Sequence, residues 1–287
     1  SVAGMGPGAG AVAAGGPTWE GWAQPPAYTG KPALYLNDQT AEALSLPIGS
    51  RIQLRFYGEP GSLILSETVS GRTEVPPASD AAQDFTATRS GRLEIEGPGG
   101  RNWQVEVIAD TPPTIAAEGE IGRTGDGRFK QGFTASDDYG VVKGQVTVTL
   151  DLAAVDRRFG LAIAPEDVAP VVLDLPLPMR GDRKAVKAVL EDDLSKSVLS
   201  NLPVEMVLAV SDAAGQMGQA EPLRLTLPGK RFFDPFAAAL IEMRRDLLWS
   251  RANAARTVQI LRAITYKPEG FIRNERAYLR LRVAMKR

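Results

Sequence analysis

The sequence contains neither cysteine nor histidine. Without cysteine there are no disulfides, no thiolate nucleophile and no sulfur ligand for a metal, and redox usage does not reveal a compartment. Without histidine the chain lacks the commonest general base, the commonest zinc ligand and the usual partner of a catalytic serine. Catalysis would have to rest on carboxylate pairs, Ser–Lys arrangements or a hard cation held by oxygen ligands. No Ser-x-x-Lys pattern, phosphate-cradling glycine loop or paired-carboxylate glycosidase signature is present. Long apolar runs are missing too: none approaches the roughly 18–20 residues that span a bilayer. No charged n-region followed by an apolar h-region opens the chain.

Charge of one sign is not in excess overall, the net being −1, but its distribution is uneven. Residues 231–287 hold 13 Lys and Arg against 5 Asp and Glu, which leaves 20 against 29 elsewhere. An acidic body with a basic end is a statement about partners, internal or external. Hydrophobic residues at 44% suffice for real cores.

The stretch Gly132–Gly140 (GFTASDDYG) runs straight into Val141–Leu150 (VVKGQVTVTL). A run of apolar and Thr residues stops at two aspartates, turns through a glycine and restarts with Val146, Val148 and Leu150 alternating against polar residues. This is the grammar of a β-hairpin. A second copy, Ala209–Gly215 (AVSDAAG), lies between strands expected near 203–211 and 219–227. Residues 1–16 are a flexible Ala/Gly-rich lead-in. From 17 to 110, short strands at 50–57, 62–66, 83–89, 92–96 and 102–108 are punctuated by turns, the last two flanking Gly97-Pro-Gly-Gly100. The diproline of Asp110–Thr114 (DTPPT) is a stiff linker. Strands near 114–120, 127–135, 141–151, 170–175, 185–191, 203–211 and 219–227 follow over 111–230. One or two helical turns are expected over 193–201, and a loop over 152–169. The fold predicted is mainly β: two tandem immunoglobulin-like β-sandwiches followed by a C-terminal helical segment over 231–287. There Asp234-Pro235 caps a long helix to about 264, with Phe236, Leu240, Met243, Leu247, Ala254, Val258 and Leu261 as its apolar stripe. Tyr266–Gly270 (YKPEG) interrupts it, and a second basic helix starts near Phe271. Such helices cannot bury their stripes alone.

Three stretches, in order, resemble a family of large alphaproteobacterial membrane proteins of unknown function: Trp22–Pro32 (WAQPPAYTGKP), Phe133–Val141 (FTASDDYGV), and Pro203–Gly218 leading to Phe236–Arg245 (FAAALIEMRR). The resemblance implies N-terminal transmembrane helices outside these residues, a periplasmic β-rich region and a Gln/Gly-rich low-complexity region beyond. It implies a location on the periplasmic side of the inner membrane and carries over no catalytic residue.

Four aspartates are candidate oxygen ligands for Ca²⁺. In an immunoglobulin-like order Asp110, Asp137, Asp138 and Asp212 share one pole, although each would equally bond its own turn. No other cofactor is expected. Trp19, Trp22 and Tyr28 suit either a sugar-stacking platform or the edge of a core. Arg244, Arg245, Arg251, Arg256, Arg262, Arg273, Arg276 and Arg280 make a basic surface for a protein partner, a second copy of the chain or an anionic membrane. With no accompanying fold motif, nucleic acid is not expected. The residues together read as a non-enzymatic periplasmic spacer and protein-interaction scaffold. An accessory module binding cell-wall glycan through Trp19 and Trp22 is the alternative.

Overall fold

The computed structural model describes residues 16–266, 272 and 275–286. The chain divides into two compact units, one ending at Thr111 and the other starting at Pro112. The helical end is grouped with the second unit.

In the first unit the strands are β1 (Thr18–Gln24), β2 (Leu34–Tyr35), β3 (Ala43–Pro47), β4 (Ser50–Tyr57), β5 (Ile64–Glu67), β6 (Ala82–Ala87), β7 (Gly91–Glu96) and β8 (Arg101–Ile108). They form two sheets, ordered β2-β1-β4-β6 and β3-β8-β7-β5. All pairings are antiparallel except β3 with β8. Period-two alternation decides which face is inside. In β4, Ile52, Leu54 and Phe56 are buried while Arg51, Arg55 and Tyr57 are exposed. The hairpin expected at Gly97–Gly100 forms, with Leu93 opposite Trp103. Both residues join Trp19, Ile52, Leu54, Phe85 and Val105 in one core.

The loop after β5 is held by Glu67, whose Oε2 accepts from the amides of Val69 (2.8 Å) and Ser70 (2.9 Å). Its Oε1 accepts from the Ser70 hydroxyl and from Arg72 Nη2. Burial pushes the carboxyl up, but the Ser70 and Arg72 bonds together outweigh it and hold Glu67 below its usual range. The folded form therefore prefers the carboxylate. That stability is present above the unfolded pKa of about 4.3 and is lost as pH falls through the lower folded value. Glu67→Gln is expected to cost the first unit about 2 kcal/mol at pH 7 and far less near pH 3. Urea unfolding of the full chain at the two pH values reads the difference.

The second unit contains β9 (Thr114–Arg123), β10 (Phe129–Ser136), β11 (Lys143–Leu150), β12 (Val171–Asp174), β13 (Ala185–Asp192), β14 (Pro203–Ser211), β15 (Met217–Gln219) and β16 (Leu223–Thr226). One sheet runs β13-β10-β9; the other runs β12-β11-β14-β15, with β16 also on β14. Phe129, Phe133, Val146, Val148, Val204, Met206 and Leu208 are fully buried in the shared core.

Four local expectations are corrected. The Gly132–Leu150 stretch is not a hairpin, since β10 pairs with β9 and β13 while β11 pairs with β12 and β14. The Asp137 turn instead carries the chain from one sheet to the other, and Gly140 takes a left-handed φ of 111° to complete it. The strand expected over 219–227 is two strands. Pro222 has no N–H for a ladder, and the pieces pair with opposite ends of β14. Residues 193–201 form successive turns closed by Ser197 N–H to Leu194 O and Ser200 N–H to Ser197 O, not a helix. Finally, the long helix is broken. It consists of α1 (Pro235–Trp249), a short 3₁₀ turn (Arg251–Asn253) and α2 (Ala254–Ile264). The break is at Ser250, whose backbone is extended (φ −160°, ψ 132°) and whose hydroxyl accepts from Ala252 N–H. A last helix, α3, covers Glu275–Ala284. No helix among the described residues is long and apolar enough to cross a membrane.

Candidate interaction surface on the helical end

Asp234 starts α1 as expected: its carboxylate accepts from Ala237 N–H at 2.8 Å, and Pro235 occupies the first turn. The face that α1 lays against the second sandwich differs from the expected stripe. The buried residues are Met243, Asp246 and Trp249, while Phe236 and Leu240 are half-buried and Leu247 is exposed. Periodicity marks apolar faces, and the packing here selects one that contains an acid.

The reason is the 152–169 segment, expected only as a loop. It folds into two 3₁₀ turns, Leu152–Ala154 and Phe159–Leu161, and receives the α1–α2 elbow. Trp249 is 0% exposed and packs with Val155, Leu161 and Leu202. Its indole Nε1 donates to Ile163 O at 2.9 Å, and the Arg157 guanidinium lies 5.7 Å from its ring centre. Glu166 N–H donates to Trp249 O (2.7 Å), while the Glu166 carboxylate accepts from Arg251 N–H (2.8 Å).

Asp246, 1% exposed, accepts from Arg256 Nη1 at 2.7 Å and from Arg245 Nη2 at 3.3 Å. Asn253 Nδ2 bridges the elbow, donating to Gly160 O and Asp246 O, each at 2.8 Å. A Cβ on Gly160 would collide with the Asp246 carboxylate, so only glycine fits there. The neighbouring Phe159 holds a left-handed φ of 54°, a conformation that costs about 1–3 kcal/mol.

The basic residues expected to form one surface therefore separate. Arg245 and Arg256 are turned inward onto Asp246, which corrects their assignment to an open patch. Arg251 is exposed and pairs with Glu166 at 3.6 Å. Arg244, Arg262, Arg276 and Arg280 are exposed; Arg273 lies outside the described residues. Helix α3 buries none of its side chains. Exposed apolar residues remain alongside: Phe232, Phe233, Leu247, Leu248, Tyr266, Leu279 and Val283.

The other candidates are placed as follows. Asp137 Oδ2 accepts from the amides of Tyr139 (2.9 Å) and Gly140 (2.5 Å), and Asp212 Oδ1 from Gln216 N–H (2.7 Å). Each holds its own turn. Asp110 belongs to the first unit, and Asp137, Asp138 and Asp212 to the second. Among the described residues no group of three or more acidic side chains that could hold a metal ion stands together. Trp19 is 7% exposed, donates its indole N–H to Gly99 O at 2.8 Å and meets Trp103 edge-to-face at 5.8 Å. Trp22 points to the opposite face of β1 and packs on Tyr35, ring centres 5.6 Å apart. The two tryptophans cannot form one platform.

A family model described as a domain of unknown function matches residues 1–287. The chain belongs to the DUF4175 family. No curated protein matches this DUF4175 chain. Solved structures similar to it include the human OSCAR ligand-binding domain, with 11% identity and a TM-score of 0.22 over 65% of this chain and 95% of that one. Chicken CNTN1 FN1–FN3 domains give 9% and 0.25 over 69% and 71%, respectively. Drosophila OTK extracellular domains 3–5 give 10% and 0.22 over 62% and 70%.

Proposed function

We propose that this DUF4175 chain is a non-enzymatic spacer and protein-interaction scaffold, two tandem immunoglobulin-like sandwiches carrying a helical handle. We place it on the periplasmic side of an alphaproteobacterial inner membrane, anchored by transmembrane helices outside these residues. The location rests on the resemblance carried by the Trp22–Pro32, Phe133–Val141 and Pro203–Arg245 stretches.

One observation carries the scaffold reading. The α1–α2 elbow is fixed by a buried tryptophan and a buried ion pair, yet Leu247, Leu248 and Phe233 stay exposed beside it. An apolar surface held on a rigid support is the arrangement of a docking element rather than of a loose tail. The strand order supports the sandwich assignment. In the second unit the first, second and fifth strands share one sheet, and the third, fourth, sixth, seventh and eighth share the other.

Photo-crosslinking residues placed singly at Leu247 or Leu279, in cells making the full-length protein, are expected to trap a discrete protein adduct identifiable by mass spectrometry. The same residue at Val172 or Val189, exposed on the sandwich, is expected to trap none. Adducts from the strand positions alone would overturn the reading.

A further inference from the structure

Beside α1 a groove of about 210 Å³ runs against the Ser195–Asn201 turns. That volume is below the roughly 300 Å³ at which drug-sized ligands are accommodated, and it suits side chains entering from a partner. Its apolar part is Val198, Phe232, Ala238, Ile241 and Leu248. Its charged lining is two open cations, Lys230 and Arg244, and Arg245, whose Nη2 is turned to Asp246, against one acid, Glu242. Arg244 is pinned at this rim by its Nη2 bond to Lys196 O (2.7 Å). Lys230 stands 3.8 Å from Asp193 in a loose, half-exposed pair that contributes little and yields readily to another carboxylate.

Resting on the scaffold reading above, we propose that this groove receives an acidic amphipathic segment of a partner protein. Its apolar side chains enter between Ile241, Phe232 and Leu248, and its carboxylates meet Lys230 and Arg244. Charge complementarity selects this occupant: a basic rim around an apolar floor repels a basic helix and leaves a neutral one without its orienting contacts.

The test uses the full chain and two labelled peptides, with Leu at i, i+3, i+4 and i+7 and either Glu or Lys elsewhere, followed by fluorescence anisotropy. The Glu peptide is expected to bind saturably, and the Lys peptide not to bind. Leu248→Glu and Arg244→Glu change exposed residues, so both variants are expected to keep the wild-type melting temperature, and each weakens the Glu peptide by about tenfold or more. Absence of saturable binding, equal binding of both peptides, or indifference to both variants overturns the proposal. So does concentration-dependent dimerisation that Leu248→Glu abolishes, which would make a second copy the occupant. If the groove fails while crosslinks from Leu247 and Leu279 persist, the scaffold reading stands without it.

Discussion

Trp249→Ala is expected to destabilise the second unit by about 3–5 kcal/mol, the range for removing a fully buried large aromatic. The side chain is 0% exposed and holds together elements far apart in sequence: Val155, Leu161 and Leu202 touch it, and Ile163 O accepts its indole proton. Truncation removes this packing and one of the two donors to the Ile163 carbonyl, which keeps its bond from Arg157 Nη2 at 2.8 Å. The first unit has its own core, built only from residues between Trp19 and Val107, and its unfolding transition is expected to stay in place. The effect should be largest at the helical end. Limited proteolysis of the variant is expected to cut between α1 and α2 under conditions in which the wild-type chain is intact.

Arg256→Ala is expected to cost about 3 kcal/mol, or roughly 6–12 °C in the melting temperature of a unit of this size. Its partner Asp246 has a side chain only 2% exposed and would keep just the longer 3.3 Å contact with Arg245. Breaking a buried ion pair from one side strands the other charge in a medium that solvates it poorly. The same substitution combined with Asp246→Asn is expected to cost less than Arg256→Ala alone, because an amide needs no counter-charge. Chemical unfolding of both singles and the double gives the coupling directly. A coupling near zero would mean that the ion pair is incidental to the elbow.

Architecture was largely legible in the sequence because it is a matter of period two and turn chemistry. Ile52, Leu54 and Phe56 declare β4; Gly97–Gly100 declares the β7–β8 turn; Val204, Met206, Leu208 and Val210 declare the inner face of β14. Pairing was less legible, since an Asp-rich turn looks alike whether it closes a hairpin, as near Asp212, or crosses between sheets, as at Asp137. The elbow was hardest to see. Asp246 reads as an ordinary helix surface charge, and nothing local shows that Gly160 lies against it from the other side of the sandwich sequence. One signal was available. A tryptophan followed by Ser250 and Arg251, just after an acid, is an unusual way to continue a helix, and Ser250 is where the helix stops. The contact that gives the break its meaning spans more than eighty residues, beyond the reach of any periodicity argument.

The central claim is that α1 and α2 are built into the second unit and present their remaining face from a fixed support. Hydrogen exchange on the full chain tests it most directly. The account predicts that amides of residues 239–249 and 257–264 exchange only with global unfolding of that unit, while α3 exchanges far faster. Rapid exchange throughout α1 and α2, with the second sandwich still protected, would contradict it.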